Sequence, residues 1–194
     1  MIGRTAVLAC TIVGFAACGG GGAGGSAQPP GQAESSAHEG VELTLRTSDG
    51  KLLFVGDLRG RPVLLFLFAT FDGVSQAALR PLTRFVSANP NTHVVGIAQQ
   101  PDPKLLIEAY VHALSPPFPV TYDPEEGIAA GETPIGEVDR IPTFVMLDAL
   151  GRIVDRHDGY ASERTLHHML DRAREAVPEE AAEQLRGPPP ALGN

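Results

Sequence analysis

The chain has 194 residues, 43% of them hydrophobic, which suffices for one domain with a sizeable core and for extensions beyond it. A net charge of −8 and the lack of any Lys/Arg-rich stretch exclude a nucleic-acid surface. The only cysteines are Cys10 and Cys18, so thiol catalysis and internal disulfides are excluded from everything after Cys18.

At the N-terminus, Arg4 is followed by an apolar run from Thr5 to Ala17. The run is too short for a comfortable membrane span and fits a secretory signal over residues 1–17. It ends in "GFAAC", where small residues precede Cys18 in a pattern that resembles a bacterial lipobox. That resemblance implies cleavage before Cys18 and a diacylglyceryl thioether on its sulfur. Phe15 stands where Leu is usual, and "VLAC" ending at Cys10 is a rival lipobox. The expected location is the bacterial cell envelope, with the membrane reached through the N-terminal lipid. Gly19 is not the Asp that signals inner-membrane retention, which favours the outer membrane. Residues 18–40 are rich in Gly, Ser, Ala and Pro and read as a flexible tether.

Residues 41–177 form the expected folded body. "VELTLRTSDGKLLFVGDL" alternates apolar and polar residues around Asp49-Gly50, the pattern of a β-hairpin. "RPVLLFLFAT" is a continuous apolar run, as in a strand covered on both faces. Val74, Ala78, Leu82, Phe85 and Val86 then follow at helical spacing, with Pro81 expected to kink the helix. "THVVGIAQQ" reads as a second buried strand. "PDPKLLIEAYVHAL" reads as a helix with Pro103 near its first turn, and "PPFPVTYDP" as a short extended stretch. "IPTFVMLDALGRIVDRHDGY" reads as two antiparallel strands joined around Ala149–Gly151, and Ser162 caps a last helix. "GPPP" marks residues 178–194 as an extended tail. This order predicts an α/β body: a mixed central sheet with a parallel pair, helices on both faces and an N-terminal hairpin.

With "DGKLLFVGDLRGRPVLL", "LFAT" before an aromatic, and "IPTFVMLDALGRIV" in that order, residues 41–176 resemble the TlpA/ResA-like thioredoxins of the redoxin and AhpC/TSA superfamily. The resemblance implies a thioredoxin-like fold and membrane-tethered thiol–disulfide exchange. It also makes Pro142 a cis-proline and Ile141 the residue whose backbone pairs with an extended substrate.

The active-site motif departs from the family. Where the family has Trp-Cys-x-x-Cys at a helix N-terminus, this chain has Phe71, Asp72, Gly73, Val74, Ser75 and Gln76. Counting from "FAT" puts Asp72 and Ser75 at the two cysteine places. Counting back from Pro81 puts Gly73 and Gln76 there, and a four-residue spacing pairs Asp72 with Gln76. None of these alignments supplies a sulfur, so no residue is assigned a catalytic role. Asp72 reads instead as a helix N-cap, and Ser75 has no histidine nearby in the motif to activate it.

Six histidines are scattered without metal-ligand spacing, so neither a metal nor any other cofactor is expected. The loop "TYDPEEGIAAGETPIGEVDR" carries Asp123, Glu125, Glu126, Glu132, Glu137 and Asp139. It reads as a solvated surface loop, with the rim of a groove or a weak cation site as the alternative.

The expected function is that of a degenerate, non-redox envelope lipoprotein. It would bind an extended segment of a partner envelope protein in a groove formed by Phe71, Asp72, Ser75, Ile141 and Pro142. The alternatives are a thiol–disulfide oxidoreductase or peroxidase of the same family, and a purely structural envelope domain.

Overall fold

The computed structural model describes residues 40–178. Cys10, Cys18, the tether up to residue 39 and nearly all of the C-terminal tail lie outside the described residues. Seven strands form one sheet: β1 (Thr44–Thr47), β2 (Leu52–Phe54), β3 (Val63–Phe68), β4 (His93–Ala98), β5 (Val120–Tyr122), β6 (Thr143–Leu147) and β7 (Ile153–Asp158). Three helices accompany them: α1 (Gly73–Ala88), α2 (Pro103–Leu114) and α3 (Glu163–Glu175). The strand order is β2-β1-β5-β4-β3-β6-β7. The pairs β3/β4 and β4/β5 are parallel, and the others are antiparallel.

The hairpin turns where Gly50 takes a φ of 83°, a conformation that needs no Cβ, and Gly50 N–H donates to Thr47 O at 2.9 Å. After Phe54 the chain leaves the sheet in a 3-10 turn over Val55–Leu58. β3 is buried at all six positions, as its unbroken apolar run demands. α1 continues through Pro81. The carbonyl that Pro81 leaves without a donor belongs to Ala77, an exposed residue.

Side-chain alternation splits the core in two. Leu64, Phe66 and Phe68 face one side, with Phe144 and Met146 beside them. The buried residues packed there come from all three helices: Ala78, Leu82 and Phe85, then Ile107 and Tyr110, then Leu166, Met169 and Leu170. Leu65, Leu67, Val95, Ile97 and Val145 face the other side. The sequence expectation of helices on both faces is thus corrected. The steps β3-α1-β4 and β4-α2-β5 move in the same direction across the sheet. Two right-handed crossovers in one direction put both helices on one face.

The chain then returns from β5 to β6 in the opposite direction and covers the second face without a helix. Ile128 and Ile135 of the acidic loop are buried there, alongside Val41, Leu43, Leu45 and Val55. The loop is therefore a wall of the core and not the solvated connector its composition suggests.

At Gly96 a Cβ would lie 3.1 Å from the Phe118 ring and 3.3 Å from that of Phe68, so glycine lets these rings close over β4. Phe66 stacks on Phe68 at 4.9 Å and meets Phe118 edge-on at 6.3 Å.

Candidate functional site

Leu67 pairs with Thr143 and Phe68 with Ala98, so the chain leaving β3, leaving β4 and entering β6 emerges at one end of the sheet. The motif residues and Ile141–Pro142 sit at that end. Asp72 is the N-cap of α1, and its Oδ2 accepts the Ser75 N–H at 2.6 Å. The Ser75 hydroxyl beside it, and then that N–H, hold the Asp72 carboxyl below its usual range against a small opposing effect of burial. The hydroxyl is fully buried and lacks an aligned hydrogen-bond partner, so it acts on Asp72 by proximity. Gly73 opens the helix and Val74 points outward. Gln76 Nε2 donates to Thr70 O at 2.9 Å. Phe71 is 70% exposed.

This arrangement offers no thiol among the described residues. Disulfide exchange needs a thiolate, and the first turn of α1 presents a carboxylate, a glycine, a valine and a sealed hydroxyl. The hydroxyl of Ser75 is also buried and makes no hydrogen bond to a base, which a nucleophilic serine requires.

Across β6 the Ile141–Pro142 peptide is cis. Pro142 is buried, and its carbonyl accepts the Gly159 N–H at 2.7 Å. Neither the N–H nor the C=O of Ile141 has a hydrogen-bond partner among the described residues. Tyr160, which follows Gly159, is 51% exposed.

A cavity of about 580 Å³ opens at the same end of the sheet. Its lining includes Gln99 and Gln100 after β4, Tyr122 and Asp123 after β5, and Glu126, Asp139, Arg140 and Ile141 of the long loop. Among the five residues expected to form a groove, Ile141 lines this cavity; Phe71, Asp72, Ser75 and Pro142 do not. Gln100 links it to the motif, because its Oε1 accepts the Thr70 N–H at 2.7 Å.

The loop is clamped from β7. Arg156 donates from Nη1 to Ile135 O at 3.1 Å and from Nη2 to Glu137 O at 2.7 Å. Its Nε donates to Asp158 Oδ1 at 3.1 Å. The Thr143 hydroxyl lies 2.8 Å from the same carboxylate oxygen and 2.6 Å from Arg140 O. Burial opposes ionisation of Asp158, but the Thr143 hydroxyl, Arg156 and the more distant charge of Arg140 outweigh it and lower its pKa. These contacts hold the backbone on both sides of Ile141.

The sequence reading missed the clamp, the glutamines and Tyr160. The signal it could have used for Gln99-Gln100 is positional: polar residues at the carboxyl end of a parallel strand line clefts in open α/β sheets. Among the described residues no group of three or more His, Cys, Asp or Glu is placed to hold a metal ion.

Comparison with known proteins agrees with this architecture. The Redoxin family model matches residues 26–173. No curated protein matches the chain. Among solved structures, the chain is similar to a putative thioredoxin from Neisseria meningitidis, with a TM-score of 0.61 and 22% identity, covering 72% of this chain and 92% of that one. It is also similar to the exposed lipoprotein thioredoxin of Streptococcus pneumoniae, with a TM-score of 0.57 and 20% identity over 67% and 98% of the two chains. A third is a secreted Mycobacterium tuberculosis disulfide oxidoreductase homologous to E. coli DsbE, with a TM-score of 0.55 and 22% identity over 69% and 95%. Such distant likeness speaks to the fold, while the family match spans most of the chain. The chain belongs to the Redoxin family, with a thioredoxin-like fold whose described body contains no cysteine.

Proposed function

We propose that this protein is an envelope lipoprotein in which the thioredoxin fold serves docking and not redox chemistry. It holds an extended segment of a partner envelope protein along Ile141, with Phe71 and Asp72 on the neighbouring chain end. Cys18 carries the lipid that tethers it to the membrane. The observation that carries the reading is a contrast within one end of the sheet. The helix start that bears thiols in TlpA/ResA-like proteins is closed by the Asp72–Ser75 cap. The backbone of Ile141, at the same end of the sheet, keeps its donor and acceptor open among the described residues. An open backbone edge binds extended peptides by strand addition. The secreted and exposed-lipoprotein descriptions of two similar structures support the envelope setting.

Family membership favours a rival reading, thiol–disulfide exchange or peroxidase activity. Insulin reduction by the purified chain decides between them. The docking reading expects no rate above the uncatalysed reaction, and measurable turnover overturns it. A purely structural domain would be favoured if photo-crosslinkers placed at positions 71 and 141 captured nothing in cells.

A further inference from the structure

The cavity beside Ile141 carries a charge pattern that specifies more of the partner than strand addition does. Asp123, Glu126 and Asp139 line it, and Arg140 is its single basic residue. The carboxylate of Asp123 is already committed, accepting the Glu125 N–H at 3.0 Å and the Ile128 N–H at 2.8 Å. Glu126 and Asp139 form no ion pair among the described residues. Arg140 does not neutralise them by contact, and its charge is felt at Asp158. The walls between the charges are stiff and largely apolar, with Pro101, Pro103, Pro124, Ala129 and Val138. Gln100 also lines the cavity, and its Nε2 is buried without an acceptor, a donor that a carbonyl oxygen would satisfy.

We infer that the cavity receives a Lys or Arg side chain of the segment held at Ile141, with Glu126 and Asp139 as its counter-charges. This rests on the docking reading and adds the chemistry of the partner to it. Ile141 belongs both to the open backbone edge and to the cavity lining, so a residue paired with it has its neighbour's side chain within reach. A volume of about 580 Å³ lies within the roughly 300–1,000 Å³ usual for small ligand sites. The chain's net charge of −8 would steer a basic segment toward it.

The test uses the full chain and three fluorescein-labelled extended peptides of about ten residues, identical except that the central residue is Lys, Gln or Glu. Fluorescence polarisation should rank them Lys, Gln, Glu, with the outer two separated by about tenfold or more. The separation should shrink when salt rises from about 0.01 M to about 1 M, as the Debye length falls from about 30 Å to about 3 Å. The E126Q/D139N variant should lose about fivefold to tenfold for the Lys peptide and nothing for the Gln peptide. Glu132→Gln, on the same loop but outside the lining, should change neither. Equal binding of all three peptides, or an unaffected double variant, overturns the inference and leaves docking at Ile141 standing. Failure of every peptide to bind overturns both.

Discussion

Asp72 sits at the first cysteine place of the motif when that motif is counted from "FAT", yet its role is that of a cap. Its carboxylate satisfies a backbone N–H that the first helical turn leaves free. Asp72→Ala should cost about 0.5–2 kcal/mol of stability in denaturant unfolding, while Asp72→Asn, another good cap, should cost little. The two variants also separate capping from charge. Asp72 and Asp158 are both held below the ordinary carboxyl range. A carboxyl with a depressed folded pKa contributes stability that is full above the unfolded value and lost as pH falls through the folded one. The thermal stability of the native chain should therefore fall as pH drops below about 4, and Asp72→Asn should flatten part of that fall. The cap was legible in the sequence because it is local: an Asp before a helix, three residues from its partner. The burial of Ser75 was not, since it depends on how α1 lies against the sheet.

The acidic loop between β5 and β6 shows why legibility falls off with distance along the chain. Its carboxylates dominate the composition, and they suggest solvent. Two isolated isoleucines, Ile128 and Ile135, turn it into the cover of one sheet face. No periodicity announces them, because the loop has none. The clamp is equally non-local: Arg156 reaches carbonyls 19 and 21 residues earlier. Strands and helices were readable from apolar runs and spacing, and the hairpin turn from Asp49-Gly50. The face each helix occupies was not, because it follows from the order of strands in space. Removing the guanidinium with Arg156→Ala should cost about 1–2 kcal/mol. It should also raise amide hydrogen exchange across residues 135–141 more than in β3, a contrast that a general loss of stability would not produce.

At the scale of the molecule, the body's ends and the candidate site lie at opposite poles of β6. Val41 N–H donates to Gly151 O at 2.7 Å, and Arg152 Nη2 donates to Ala176 O at 3.0 Å, both at the β6–β7 turn. β6 alone interposes about 14 Å of strand between that turn and Pro142. Gly40, where the described residues begin, therefore lies at the pole away from Ile141. If Cys18 carries the lipid, a cysteine introduced at position 71 should react with a membrane-impermeant maleimide on lipid-bound protein as fast as on the soluble body lacking the tether. Slower labelling on vesicles would place the site against the membrane.

The most direct measurement of the docking account is photo-crosslinking in cells from position 141, paired with position 149 at the opposite pole. The account expects a discrete protein adduct from position 141 that weakens in the Arg156→Ala background, and none from position 149. The absence of an adduct from position 141, or the same adducts from both positions, would contradict it.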